Sequence, residues 1–302
     1  MTSRRAFLIA GGSLLAGGVG VLGYTFGVEP FWVETVRRSM PLVNLPDSLA
    51  GRTLLQLSDL HVGRVDSGYL IETMQEARQL QPDFVAFTGD FVTYRSAAEL
   101  DELARVLSHA PRGRLGTVAV LGNHDFGYSW RQRDVADRVT QVVRGSGATV
   151  LRNEVTSVAG LDFVGMGDYW TPDFDDTRDL RELLELPPRR QGDPVLESPR
   201  RILAALDATR PTVVLCHNPD FVDEPIWDGV RGWVLAGHTH GGQCKAPFLP
   251  PPVLPIRNRR YAAGSFDLAP GRTLYVNRGI GHLIPVRFNV RPEMTLFTLA
   301  SA

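Results

Sequence analysis

Three short apolar runs in the first half of the chain each end on a side chain able to hold a metal, and amphipathic stretches separate them. Leu54-Leu55-Gln56-Leu57 runs into Ser58-Asp59, Phe84-Val85-Ala86-Phe87 into Gly89-Asp90, and residues 117–121 into Gly122-Asn123. Between them, residues 69–80 carry Leu70, Met74 and Ala77 at helical spacing, and residues 97–109 form a second helical stretch. This rhythm predicts a β-α-β-α-β unit, because a parallel neighbour is reached only through a crossover long enough to hold a helix. Parallel strands bring their carboxyl ends to one side of the sheet, where open α/β folds bind ligands. Asp59, Asp90 and Asn123 are therefore expected at one end of one sheet.

The second half adds more strand ends of the same kind. Residues 134–144 read as a helix, and 149–151, 155–157 and 161–165 as short strands. Residues 168–200 are polar and proline-rich and read as a long surface insertion with one short helix. A helix near 201–208 leads into strand 212–216; further strands are expected at 232–236, 273–277 and 294–299. Two of these ends carry Cys216-His217-Asn218 and Gly237-His238-Thr239-His240. Five of the seven histidines (His61, His124, His217, His238 and His240) thus fall at strand ends, three of them within two residues of an Asp or Asn, which is a metal-site pattern. Asp59 and His61 stand two apart, as do His238 and His240; in an extended chain such pairs project to the same side. Glycine directly precedes Asp90, Asn123 and His238, where it permits close backbone approach. Asn218 reads as a helix-start residue and His109 as a solvated helix end.

Taken in order, DLH at 59–61, GD at 89–90, GNHD at 122–125, HN at 217–218 and GHTH at 237–240 resemble the calcineurin-like metallophosphoesterases, from about Arg52 to the C-terminus. The resemblance implies a four-layer α-β-β-α sandwich, two sheets face to face with helices outside. It implies two divalent ions (Mn, Fe or Zn), one held by Asp59, His61 and His240, the other by Asn123, His217 and His238, with Asp90 bridging both. A carboxylate has two oxygens and a charge to share between cations, while Asn offers one neutral oxygen that limits the charge at the site. His124 would contact the phosphate or protonate the leaving oxygen, with Asp125 orienting it; a helix N-cap or loop turn is the other reading of Asp125. The implied activity is hydrolysis of phosphate esters, diesters before monoesters. The alternatives are a nucleotide or sugar-nucleotide pyrophosphatase and a non-catalytic metal-binding scaffold. A scaffold should lack a ligand or His124, and none is missing.

Residues 1–28 are expected to lie outside the fold. Arg4-Arg5 followed by Phe7-Leu8 resembles a twin-arginine export signal, and residues 6–24 are uncharged with six glycines. That length is close to the ~20 residues a spanning helix needs, and no small-x-small cleavage site follows. The Tat translocase is the expected export partner, and the destination is extracytoplasmic, with the segment as an anchor to the cytoplasmic membrane. With the GHTHGGQ extension, this start looks most like an exported, membrane-proximal YkuE/YaeI-type subgroup. Residues 29–51, with Pro30, Pro41 and Pro46, read as a connector, and 52–302 as the catalytic domain without internal division. The formal net charge of -1 gives no electrostatic case for nucleic acid. Cys216 and Cys244 read as two small buried thiols, with a bridge between them as the alternative.

The apolar, proline-stiffened run 248–255, followed by Arg257, Arg259 and Arg260, begins just after the last histidine pair. It suits an amphiphilic ester, so a phospholipid or lipid-linked phosphodiester is the expected substrate class beside soluble small esters. His282, flanked by glycine, is a further pocket candidate without an assigned role.

Overall fold

The computed structural model describes residues 20–176, 189–269 and 271–302. Two six-stranded sheets make up the body. The first runs β1 (Glu34–Leu42), β12 (Glu293–Ser301), β2 (Thr53–Leu57), β3 (Phe84–Thr88), β4 (Gly116–Val120), β5 (Thr149–Val150). The second runs β10 (Gly264–Ala269), β11 (Arg272–Val276), β9 (Gly232–Ala236), β8 (Thr212–Leu215), β7 (Leu161–Gly165), β6 (Glu154–Val158). Strands β2 to β5 are mutually parallel, as are β7, β8, β9 and β11.

The period-2 alternation of each strand sorts its side chains into two layers. Leu55, Leu57, Val85, Phe87 and Ala119 face outward onto helices α1 (Ser67–Gln79), α2 (Ala98–Leu107) and α3 (Arg133–Gly145), meeting Leu70, Met74, Leu103 and Val139. Leu54, Phe84, Ala86, Val118 and Val120 face the other way and interdigitate with Phe163, Val213, Leu215 and Leu235 of the second sheet. Val164, Val214, Val234 and Leu274 then face the far side, onto Phe221, Trp227 and Leu203 of α4 (Glu197–Ala204). The result is the expected α-β-β-α sandwich. Among the buried polar side chains that cross between its sheets, Gln56 Nε2 donates to Thr88 Oγ1 at 3.1 Å and to the Ala236 carbonyl at 3.0 Å. Both acceptors lie at strand ends that lead into the site.

Three features depart from expectation. The connector at 29–51 contains the nine-residue strand β1, parallel to β12. Arg37, Arg38 and Pro41 hide it in the sequence; an edge strand tolerates charge and proline because one side of its backbone is unpaired. The stretch 168–200 is a surface segment over much of 190–198 but not at its start or at Arg189: Asp168, Tyr169, Trp170, Thr171, Phe174, Asp175 and Arg189 are buried. The Arg189 guanidinium lies over Phe174 at 4.7 Å and bonds Asp175 at 2.8 Å, so a charged stretch closes an aromatic cluster. Residues 177–188, where part of that stretch and its prolines fall, lie outside the described residues, as do residues 1–19 with the twin arginine. The helix expected over 201–208 starts earlier, at Glu197. Among the described residues, no helix is long and apolar enough to cross a membrane; residues 20–27 are helical.

Candidate metal centre

All five strand ends converge. Asp59 follows β2, Asp90 follows β3, Asn123 follows β4, His217 follows β8, and His238 and His240 follow β9; all are buried, each no more than 5% exposed. The backbone delivers them by a route the sequence did not suggest. Asp59, His61, Asp90, His238 and His240 all have positive φ, between 49° and 70°, so neither spaced pair is extended. Left-handed backbone at a non-glycine residue is costly and collects at functional sites. The preceding glycines serve close packing: a Cβ on Gly122 would collide with Asp90 Oδ1, and one on Gly237 with Ser58 Oγ.

Three overlapping groups of ligand atoms result: Asp59, His61 and His240; His61, Asp90 and His124; and Asp90, His217 and His238. Within each group all atoms lie within 4.8 Å of one another. Asp90 sits between the outer two, its Oδ2 3.0 Å from His217 Nε2 and 3.6 Å from His61 Nε2. Its Oδ1 accepts from the His124 backbone N–H at 2.9 Å.

Hydrogen bonds behind the ring assign the tautomers. His217 Nδ1 donates to the Thr88 carbonyl at 2.7 Å, and His238 Nε2 to the Pro255 carbonyl at 2.9 Å. Their remaining nitrogens, His217 Nε2 and His238 Nδ1, face each other at 3.3 Å. His61 Nδ1 lies 3.0 Å from Thr93 Oγ1, while its Nε2 faces His240 Nε2 at 3.0 Å. Two lone pairs repel at such distances unless a cation or proton lies between them. Both polar atoms of Asn123 are buried without a partner, and so is His240 Nδ1. A buried amide left wholly unpaired costs several kcal/mol, of order 1–3 per group. The donor set therefore fits divalent cations, and its N and O ligands suit Mn, Fe or Zn.

The electrostatics agree. Burial pushes the His61 and His240 imidazoles well below their ordinary range and His238 down to about 3, so all three offer neutral lone pairs. Burial also works against charge on His217, but Asp90 in contact, with Asp59 and Asp168 behind it, holds that imidazole well above its ordinary value. Burial pushes Asp59 up to about 7, with Asp90 adding repulsion. The same negative potential that holds a proton on His217 attracts a cation, and the two compete.

His124 is present at the centre, its ring 5.1 Å from that of His61, and burial lowers its pKa. Asp125 departs from the orienting role expected of it. Its carboxylate accepts three backbone N–H groups: Asp90 at 3.0 Å, Gly122 at 2.9 Å and Val92 at 3.1 Å. It ties the loop after β3 to the loop after β4, close to its loop-turn reading, and burial followed by Asp90 raises it to about 8. His109 is half-exposed at the end of α2, and Asn218 caps the turn Pro219–Asp223 by accepting from Asp220 N at 2.9 Å. Both cysteines are free; Cys216 is buried as expected, but Cys244 is half-exposed rather than buried.

Several contributors escaped the sequence reading. Trp170 lies edge-on to His238 at 4.5 Å and stacks on Trp130 at 5.2 Å, which in turn meets His124 at 5.4 Å. The pair walls one side of the centre. The signal was available: Asp168-Tyr169-Trp170 follows β7, whose carboxyl end must lie with the others. The turn 277–281 presses on Asp59, with Ile280 N donating to the Ser58 carbonyl at 2.9 Å and Gly281 N to the Asp59 carbonyl at 2.7 Å. A Cβ on Gly279 would stand 2.7 Å from Asp59 Cβ. Behind the turn, the fully buried Arg287 guanidinium donates to the carbonyls of Arg278, Gly279, Gly281 and Val290. His282 Nδ1 is buried without a partner, and its ring meets Phe31 edge-on at 5.6 Å.

Comparison with known proteins bears on the same segments. A family profile described as Calcineurin-like phosphoesterase matches residues 52–242, the span that holds every residue of the three groups. The chain is 31% identical to Phosphodiesterase YaeI of Escherichia coli (strain K12), over 99% of this chain and 100% of that protein. It is 32% identical to the uncharacterized metallophosphoesterase YkuE of Bacillus subtilis (strain 168), over 99% and 98%. It is 25% identical to UDP-2,3-diacylglucosamine pyrophosphatase LpxG of Chlamydia trachomatis, over 89% and 90%. With buried Asp and His groups gathered where parallel strands end and a family match over most of the chain, this protein belongs to the calcineurin-like phosphoesterases and is a metal-dependent hydrolase of phosphate esters.

Proposed function

We propose that the protein holds two divalent cations and cleaves phosphodiesters, with an amphiphilic, lipid-linked ester as its natural substrate. The observation that carries the two-cation reading is the pair of facing imidazole contacts, His217 with His238 and His61 with His240, on either side of Asp90. In this reading Asp59, His61 and His240 hold one cation, Asn123, His217 and His238 the other, and Asp90 lies between. When bound, such a pair supplies Lewis acidity toward the phosphoryl oxygens and an activated water.

The chain's own residues do the rest. Thr88 O, Thr93 Oγ1 and Pro255 O orient three of the imidazoles. Trp130 and Trp170 keep bulk water from one flank of His124. His124, which burial biases toward the neutral imidazole, would bond the phosphate, or, once the phosphate's negative charge beside it favours the imidazolium, give that form's proton to the leaving oxygen.

Diester preference is supported by the relative named a phosphodiesterase. A pyrophosphatase acting on an amphiphile is the second reading, favoured by relatives named UDP-2,3-diacylglucosamine pyrophosphatase. Export through the Tat translocase to the outer face of the cytoplasmic membrane, with residues 1–28 as anchor, is part of the same proposal. It rests on Arg4-Arg5 and the uncharged run 6–24. Hydrolysis of an aryl phosphodiester with Mn²⁺ should be lost in Asp90→Asn. Equal turnover in both proteins would remove Asp90, and with it the two-cation account. Charge reversal at Arg257, Arg259 and Arg260 together should slow lipid-linked esters and spare soluble ones; unchanged rates on both would refute the lipid reading.

A further inference from the structure

Among the described residues, ten of the thirteen large apolar side chains that stand exposed lie in three short segments: residues 20–33, the loop 246–253, and Ile284. Phe248 is fully exposed, Val253 73% and Leu249 62%; Ile284, Trp32 and Phe26 are half-exposed or more. A loop stiffened by Pro247, Pro250, Pro251 and Pro252 holds the first three away from the core, where they bury nothing. A contiguous exposed apolar patch marks an interaction surface.

Hydrogen bonds make the three segments neighbours. The Thr25 carbonyl accepts from Arg287 N at 3.0 Å. Gln243 Nε2 donates to the carbonyls of Ile284 and Val286 at 2.9 and 2.8 Å. Phe288 N donates to Gln243 O, and Lys245 N to Phe288 O, each at 3.0 Å. The loop that leaves Lys245 returns to the metal centre at Pro255, whose carbonyl accepts from His238 Nε2. All three apolar segments therefore flank the turn that carries His238 and His240.

Charge selects the occupant. Residues 20–33, 241–260 and 281–292 contain one carboxylate, Glu29, and it is 1% exposed. Lys245, Arg259 and Arg260 in the same segments are exposed. Apolar tips beside cations, with no exposed acid in their own segments and Asp223 the exposed carboxylate that meets Asn258 at the loop's far end, on a chain whose net charge is -1, match an anionic bilayer: tips enter the acyl boundary while cations meet headgroups. The helix at 20–27, which includes the last residues of the uncharged run 6–24, belongs to the same rim.

We propose that this rim seats on an anionic lipid bilayer through Phe248, Leu249, Val253 and Ile284, so that the metal centre stands beside the headgroup layer. This deepens the amphiphile reading above and rests on it for the substrate, though not for the docking.

The test uses the full chain in vesicles of phosphatidylcholine with or without phosphatidylglycerol. A nitroxide is attached at Leu249→Cys in a Cys244→Ser background, with Leu115→Cys at the opposite end of β4 as the water-exposed control. The label at 249 should be shielded from a water-soluble nickel chelate and open to oxygen, more so with phosphatidylglycerol, while the label at 115 stays chelate-accessible. Equal chelate access at both positions would overturn the docking, as would spin–spin broadening at 249 that marks a second copy on this face. Aryl phosphodiester turnover is read in the same preparation. Turnover with a water-exposed label overturns the docking and leaves the phosphodiesterase reading standing. A buried label without turnover supports the docking and counts against that reading.

Discussion

Replacing Arg287 with Met should loosen the metal centre from behind, and one cation more than the other. The guanidinium is fully buried and donates to four carbonyls at 2.6 to 3.2 Å, with Nε left unpaired. A hydrogen bond from a charged donor contributes about 1.5–3 kcal/mol, and each buried carbonyl left without a partner costs about 1–3 kcal/mol. Against this stands the desolvation of a buried cation, several kcal/mol, which also lowers this arginine to about 10. The net loss should be about 3–5 kcal/mol, a fall in Tm of roughly 10 °C for a chain of this size. The freed turn 278–281 is the one that bonds Ser58 O and Asp59 O, so the Asp59–His61–His240 side should weaken most. The assay is calorimetric titration of the apo-protein with Mn²⁺ beside a thermal melt, with Arg287→Lys as the conservative variant. We expect one of two binding steps to weaken at least tenfold in Arg287→Met and less in Arg287→Lys. A lower Tm with both steps unchanged would refute the coupling of this turn to Asp59. An unchanged Tm would refute the account of the buried cation itself.

Asn123→Ala removes the one neutral oxygen donor among the candidate ligands; bound metal should fall from two ions to one per chain by elemental analysis, and turnover by about 100-fold or more. Asp125→Asn turns an amide N–H toward backbone donors now bonded by a carboxylate, and should cost about 2 kcal/mol in urea unfolding. Because Asp125 braces loops rather than the imidazole, the pH at which turnover rises and falls should not move; a displaced limb would restore the orienting role. His282 is buried, and that burial, with Arg287 nearby, lowers it to about 4. The fold thus favours its neutral form, a contribution present in full above the ordinary value of 6.5 and lost as pH falls from there toward 4. The drop in urea midpoint between pH 7 and pH 5 should therefore shrink in His282→Gln; an equal drop would assign the acid sensitivity elsewhere.

Much of the fold was readable because its core strands are buried on both faces. Runs such as Phe84-Val85-Ala86-Phe87 and Thr212 to Leu215 need apolar side chains throughout, and the polar residue that ends each run marks where the sheet stops. Strands β1 and β10 were not legible, because edge strands meet solvent on one side and take Arg, Ser and Pro without penalty. The buried start of 168–200 was missed for a related reason. Asp168, Asp175 and Arg189 look solvated in a list of residues, and only their contacts, Trp170 N on Asp168 and Arg189 on Asp175, reveal what holds them inside.

The sequence by itself determined which strand ends carry donors and that those of one parallel set finish on one side; that Asp59, His61, Asp90, Asn123 and His124 meet His217, His238 and His240 is what the family resemblance implied. Parallel strands have no other way to finish, and the spacing of apolar runs is a local property. Only the tertiary structure decided how they meet. The left-handed turns at Asp59 and His61, the carbonyls that choose each imidazole's tautomer, and the turn 277–281 held by Arg287 all depend on contacts between residues far apart in the chain. So does the gathering of Phe26, Leu249 and Ile284 on one rim. Hydrophobic periodicity records what each segment buries, whereas partners across space leave no periodic mark.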